Sequence, residues 1–439
     1  MRDLLVLGIF MGALPFALRH TWAGVLLWTW ISIMNPHQLA YGFAATAPFA
    51  AVAAGATLIS IFLNRDKLRM PWEPPVVVLF MFVFWMCVTT VFAFHPQTSW
   101  DQLVKVLKIQ LMTVVAFAAI RERKHIELFI WINVLSLGFF GVKGGLYTIA
   151  TAGAGRVWGP GGFIGGNNEL AVALIMAIPL MNYLRMVSTR RWVRIGLLVA
   201  LLLTTVSALG TQSRGAFLAI SAMALVLWFR SDRKFVTGVM VAIVAVGLVA
   251  FLPNTWEERM GTIQSYEQDG SAMGRIEAWK MTFNLASKNF FGGGFDIYYP
   301  STYAIYAPES TQSQGSHSIY FSVLGEHGFV GLVLFLTIWY LAFRTAGNIR
   351  RDAKRQEETA WLFHLAGMCQ VSLVGYLVGG AFLALAYFDL PYNVLVILVA
   401  SLRWMQEKRW VTEPTGAFGS GNPVSRIRTA VRRRIQRWS

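Results

Sequence analysis

Eleven apolar runs, near residues 43–63, 75–94, 106–120, 126–149, 168–187, 195–210, 214–229, 235–252, 318–342, 360–387 and 391–403, each read as a helix able to cross a bilayer. Composition agrees with that reading. The chain is 56% hydrophobic and 14% charged, with mean hydropathy +0.52, whereas a soluble domain carries roughly a quarter charged residues. The sequence therefore predicts an all-α integral membrane protein. Its two cysteines, Cys87 and Cys369, both fall inside apolar runs, which excludes a disulfide framework and leaves no zinc or redox spacing.

The net charge of +16 takes its meaning from where the charges lie. Basic clusters occur at every second connection: 64–69, 121–124, 185–194, 230–234, 344–355 and the tail after Leu402. Together they hold 27 of the 38 Lys and Arg. The alternating connections hold seven: Lys105, Arg156, Arg214, Arg259, Arg275, Lys280 and Lys288. The positive-inside bias places the first set in the cytoplasm and the second outside. Residues 35–42 are then outside. The half-length apolar pieces 4–18 and 21–34 are read as one broken crossing, retained rather than cleaved as a signal peptide. This gives about twelve spanning helices with both termini cytoplasmic; two short crossings with an outside N-terminus is the alternative. Residues 1–252 hold the first group of helices, 253–317 a large outer loop, 318–403 the last group, and 404–439 a basic tail. In the tail Val424, Ile427, Val431, Ile435 and Trp438 recur among arginines at near-helical spacing. That pattern suits an anionic leaflet rather than nucleic acid.

The outer loop is the one large connection, and loops of that length inside a compact protein usually carry function. Within 271–291, Ile276, Trp279, Phe283, Ala286 and Phe290 repeat at helical spacing and predict an amphipathic helix stopped by Gly292–Gly294. Arg275 falls in its first turn, where free amides and a guanidinium form an anion site; pairing with Glu277 or a headgroup is the simpler alternative. His317 opens the next helix, as an interfacial residue or a working one. His327, deeper, reads as packed against polar helix faces, and His37 and His95 as turn residues. Arg214 interrupts two apolar runs in "GTQSRGAF" (210–217), on the side the charge bias disfavours, with no acid in either adjoining run. Its expected partner is a ligand anion, or lipid headgroups reached by snorkelling.

An arginine in an S-R-G turn, G-R-x-x-x-W in a large outer loop and a histidine opening the following helix together resemble the O-antigen ligase family. The motif-bearing part covers roughly 155–340. The resemblance implies a helical C-type membrane glycosyltransferase of the bacterial inner membrane with its site on the periplasmic side. The implied donor substrate is a glycan on undecaprenyl diphosphate and the implied acceptor a hydroxyl of lipid A core. It transfers the diphosphate grip to Arg214 in "QSRGA" and Arg275 in "GRIEAW", and the loop histidine to His317 in "GSHSIY". "RVWGPGGFIGGNN" (156–168) is similar to the family's earlier outer loop and makes Arg156, Asn167 and Asn168 candidates for contact with the donor substrate. The opening of the chain resembles ligase-like members associated with exosortase systems.

That chemistry suits the residue types. A histidine titrating near neutrality can deprotonate the acceptor hydroxyl, and bidentate arginines can hold the departing diphosphate. Direct attack at the anomeric carbon inverts configuration. No metal and no cofactor is expected: "NPHQLAYG" (35–42) lacks a carboxylate, and "EQD" (267–269) reads as a polar lead-in to the helix. Asp389 in "YFDLPYN" either orients a catalytic group or caps a turn. A polymerase or protein O-oligosaccharyltransferase of the same superfamily is the alternative activity. A polyprenol-linked glycan transporter is the alternative of another class, and a non-catalytic assembly subunit a third.

Overall fold

The computed structural model describes residues 1–63, 68–230, 234, 235, 238, 270–310, 312–354, 356–383 and 385–413. The expected crossing at 235–252, Arg259, the run "EQD" (267–269) and the tail helix fall wholly or almost wholly outside the described residues.

The described residues form α-helices and short 3-10 turns, without strands. The helices are α1 (Arg2–Arg19), α2 (Thr21–Met34), α3 (Phe49–Leu63), α4 (Pro74–Val91), α5 (Pro96–Ala119), α6 (Arg123–Ala150) and α7 (Asn167–Val187). They continue with α8 (Arg191–Gly210), α9 (Arg214–Arg230), α10 (Gly270–Lys288), α11 (Pro300–Tyr306), α12 (Ile319–Ala353), α13 (Ala360–Gly380) and α14 (Asp389–Gln406). Seven of them (α4 to α8, α12 and α13, the last counted with the turn before it) are long and apolar enough to cross a membrane, and α2, α3 and α9 are shorter apolar helices. The all-α membrane class expected from the apolar runs is what the chain builds. At its centre α7, α13 and α14 bury nearly every side chain, among them Tyr183, Trp361, Tyr376, Tyr392 and Trp404. Asn393 Nδ2 donates to Asn133 Oδ1 at 2.9 Å between α14 and α6, an interhelical hydrogen bond of the kind that fixes helix register in lipid.

Residues 1–34 correct the expectation of a single broken crossing. His20 adopts extended geometry (φ −140°, ψ 119°), so the chain reverses there. Arg2 donates to Leu39 O and Tyr41 OH, and Asp3 Oδ1 accepts from Gly42 N and Ala44 N. At the other end His20 stacks on Trp22, and Trp22 on His125 in the first turn of α6. The start of α1 and the end of α2 thus share one face, with the turn on the other: an antiparallel hairpin. Pro15 sits inside α1 without ending it. Eighteen residues span roughly 27 Å at 1.5 Å each, close to the hydrocarbon thickness. The Met1 end lies on the face of residues 35–44, and the segment 403–413 lies on the opposite face, where Arg403 Nη1 donates to Arg69 O and Glu413 Oε2 accepts from Arg123 N.

Sidedness is testable in single-cysteine chains with Cys87 and Cys369 changed to serine. A membrane-impermeant thiol reagent added from outside should label Arg2→Cys and Tyr41→Cys alike and spare Lys354→Cys. Labelling of Lys354→Cys, or of Tyr41→Cys without Arg2→Cys, would contradict the hairpin or its orientation.

The stretch that carries the loop into α12 is built around one kink. Gly328 has φ 66° and ψ −173° inside α12, conformations a side chain would strain. The carbonyls this break leaves over are taken by the glycine turn after α10: Gly293 N donates to Gly325 O and Gly294 N to Glu326 O, each at 2.9 Å. Just beyond, His327 bonds Thr89 Oγ1 through Nδ1 at 2.7 Å, and its carbonyl accepts from Trp85 Nε1. His327 is therefore a packing residue against α4.

Candidate active site around His317

Arg214 is placed by three local features of its turn. Ser213 Oγ accepts from Ala216 N at 3.3 Å, the capping geometry that serine supplies at a helix start. Arg214 is then the first residue of α9. Gly215 follows because its Cα faces Phe382, whose Cβ would stand 3.3 Å from any added Cβ. The preceding turn is anchored by Asn167 Nδ2 donating to Thr211 O at 2.8 Å and Gln212 Nε2 donating to Gly153 O at 3.1 Å.

Helix α10 presents Arg275 and Trp279 but buries a different face from the one the aromatic repeat suggests. Ala278, Met281 and Leu285 pack inward with Ile297, Tyr303 and Tyr306; of the predicted stripe Ala286 is buried, while Phe283 and Phe290 are 51% and 66% exposed. The reason is that α10 lies against α12 and turns its larger rings outward. Arg275 stands in the second turn of α10 as described, past the amides of the first turn. Its setting comes from side chains rather than from the helix terminus. A Cβ at Gly274 would meet the side-chain amide of Gln314, which would have to swing aside.

Trp279 explains the spacing of its motif. Its Nε1–H donates to Ser316 O at 2.8 Å, and its ring stacks on Phe321 with centroids 4.9 Å apart. The Ser316 hydroxyl accepts from Tyr298 OH at 2.9 Å and is bonded to Ser322 Oγ at 2.9 Å. These contacts lock the residue before His317, whose own backbone is left-handed at φ 45°. Such geometry in a non-glycine residue costs on the order of 1 kcal/mol or more and persists where the surroundings impose it. Gln314 Nε2 and Ser318 Oγ, both buried, meet no hydrogen-bond partner among the described residues.

His317 is half-buried. Burial pushes its pKa below the ordinary histidine value, the Arg275 guanidinium pushes it further down, and Glu169 opposes both. Glu169, in the first turn of α7, is the site residue that sequence reading passed over. Its only signal is position, one residue after Asn168. Phe382 links the remaining part: it meets Gly215 on one side, and its ring lies 6.5 Å from that of Trp279 on the other.

Of the other candidates, Asn167 braces the turn that carries Arg214, whereas Arg156 and Asp389 have partners of their own. Arg156 lies over the Trp158 ring at 5.8 Å and lines a separate cleft with Lys143 and Tyr147. The side-chain amide of Asn167 is committed to Thr211, and Asn168 is half-buried in the first turn of α7. Asp389, buried at the start of α14, accepts from Ser32 Oγ at 2.8 Å and so ties α14 to α2. Arg275 and Glu169 are the charges that act on His317, and Asp389 is not among them. Among the described residues, no group of three or more His, Cys, Asp and Glu is gathered where it could hold a metal ion.

No curated protein matches the chain. Residues 1–189 match a family of unknown function. Residues 198–336, which contain Arg214, Arg275, Trp279 and His317, match the O-antigen ligase family.

Proposed function

We propose that the chain transfers a glycan from undecaprenyl diphosphate to a hydroxyl of lipid A core, with inversion at the anomeric carbon. The match of residues 198–336 to the O-antigen ligase family supports a glycosyltransferase of ligase or polymerase type that uses a lipid-linked glycan. The observation that carries the finer reading is His317 on a left-handed backbone, next to a Ser316 held by Trp279 and Tyr298 and within the field of the Arg275 guanidinium. His317 takes the acceptor's proton as its oxygen bonds to the anomeric carbon and the bond to the diphosphate breaks. Arg275 and Arg214 hold the diphosphate as charge grows on it. Burial and Arg275 keep the resting imidazole neutral and able to accept, and Glu169 favours the imidazolium that forms. Gln314 and Ser318 offer hydrogen bonds to sugar hydroxyls beside it. The deciding experiment supplies purified protein with lipid-linked glycan and either lipid A core or a second lipid-linked glycan. Transfer to the core alone supports the ligase reading, chain extension replaces it with a polymerase, and no transfer to either refutes the enzyme assignment.

Two outcomes follow from the same residues. Because His317 must be neutral, kcat should fall as pH drops through its lowered pKa. Glu169 raises that pKa, so Glu169→Gln should move the acidic limb of the profile to lower pH. An unmoved limb, or one displaced upward, contradicts the assignment. Transfer should also proceed unchanged in excess EDTA, since among the described residues no carboxylate–histidine cluster is gathered at the site. Loss of activity with EDTA and its return with magnesium or manganese would overturn that expectation.

A further inference from the structure

The face opposite His317 carries arginines of two kinds. Around α6 and α14 they are neutralised: Arg123 pairs with Glu127 at 3.1 Å, Arg121 and Arg403 with Glu407, and Arg409 with Glu407 and Glu413. The turn between α7 and α8 is different. Arg190, Arg191 and Arg194 crowd within five residues, and among the described residues none of them forms an ion pair with a carboxylate. Arg185 joins them from the end of α7, held in place by Asn182 Oδ1.

Two cavities meet at this turn and share Thr189. One, of 400 Å³, is lined by Arg185, Arg191 and Arg194. The other is a groove of 430 Å³ with Arg190 at its mouth and walls of Leu26, Leu128, Trp131, Ile132 and Leu135. Leu135 lies twelve residues into α6 counted from Arg123, roughly 18 Å from its end by helical rise. The groove thus runs from a cationic rim deep along the side of the bundle. Trp192, 83% exposed beside the arginines, marks the depth of a membrane interface.

We propose that this turn seats one acidic phospholipid, its headgroup phosphate among Arg190, Arg191 and Arg194 and an acyl chain in the groove. A soluble anion would use the rim and leave the groove, and a zwitterionic lipid would use the groove and leave most of the rim charge unmatched. Only an anionic amphiphile uses both. Three basic residues at an anionic lipid headgroup support a preference of at least about tenfold.

Native mass spectrometry of the purified full chain, titrated with dioctanoyl phosphatidylglycerol or dioctanoyl phosphatidylcholine, tests this. The chain should bind one phosphatidylglycerol at least about tenfold more tightly than phosphatidylcholine. The triple variant Arg190→Gln, Arg191→Gln, Arg194→Gln should bring the two lipids level, and the triple lysine variant should keep most of the preference. Ile132→Trp, which fills the groove, should weaken both lipids. Equal binding of the two lipids by the unaltered chain refutes the site, as does a preference that survives the glutamine variant. If that variant does not fold, undiminished binding to Ile132→Trp refutes the groove. Displacement of phosphatidylglycerol by an equal concentration of inorganic phosphate overturns the lipid reading in favour of a headgroup-sized anion.

Discussion

His317→Ala is expected to lower the transfer rate by about 10²–10⁴-fold, the usual cost of losing a general base, while lipid-linked glycan remains bound. The two effects separate because the diphosphate contacts are assigned to other residues, Arg275 and Arg214. The backbone needs its own control, since His317 is left-handed at φ 45° and alanine tolerates that region no better. Asparagine tolerates it more readily than most residues, so His317→Asn keeps the turn and removes the base. Both variants should lose turnover and both should retain the lipid-linked substrate, measured by binding of labelled substrate alongside rate. Near-normal transfer by His317→Ala would remove His317 from the chemistry and leave Asp389 and Glu169 as the next bases to test. Loss of binding together with rate would mean that the histidine shapes the diphosphate site.

Much of the architecture was legible because lipid imposes it. Backbone groups in hydrocarbon must bond within a helix, so long apolar runs translate directly into α4 to α9 and α12 to α14. The turn at 210–214 was legible for the same reason: an arginine between two apolar runs has few places to go. Three things were not. The α1–α2 hairpin hides because its pieces, 18 and 14 residues long, are short for separate crossings, and the contacts that reveal it, Arg2 and Asp3 to 39–44, are made between residues distant in sequence. The buried face of α10 hides because its aromatic stripe looks like a core stripe, yet a helix at a membrane surface can turn large rings outward. Lastly, the groups that set His317 and the Ser316 before it come from three elements: Trp279 on α10 and Tyr298 in the following loop, which bond Ser316, and Glu169 on α7, which acts on His317. A motif marks residue types at fixed spacing, but the bond from Trp279 to Ser316, 37 residues apart, belongs to the fold.

The arginine substitutions should fail differently from the histidine ones. Arg275→Ala and Arg214→Ala are each expected to weaken binding of the lipid-linked glycan and also to slow transfer, because a guanidinium on the diphosphate acts in the ground state and more strongly as charge accumulates on the leaving group. Loss of a single preorganised donor to developing negative charge typically costs about 10²–10³ in rate, to which the loss in affinity adds. Lysine at either position should recover only part of both, since a point charge cannot reproduce the planar two-pronged fit to phosphate oxygens. Free undecaprenyl diphosphate offers the same anion without the glycan. It should compete with substrate in the unaltered protein and compete poorly in either alanine variant. The two positions also differ from each other. Arg275 lowers the pKa of His317, so Arg275→Gln should carry the acidic limb of the pH profile upward, whereas Arg214→Gln should leave it in place. A rate loss at Arg275 with no change in competition by undecaprenyl diphosphate would confine that residue to tuning His317 and leave the diphosphate grip to Arg214.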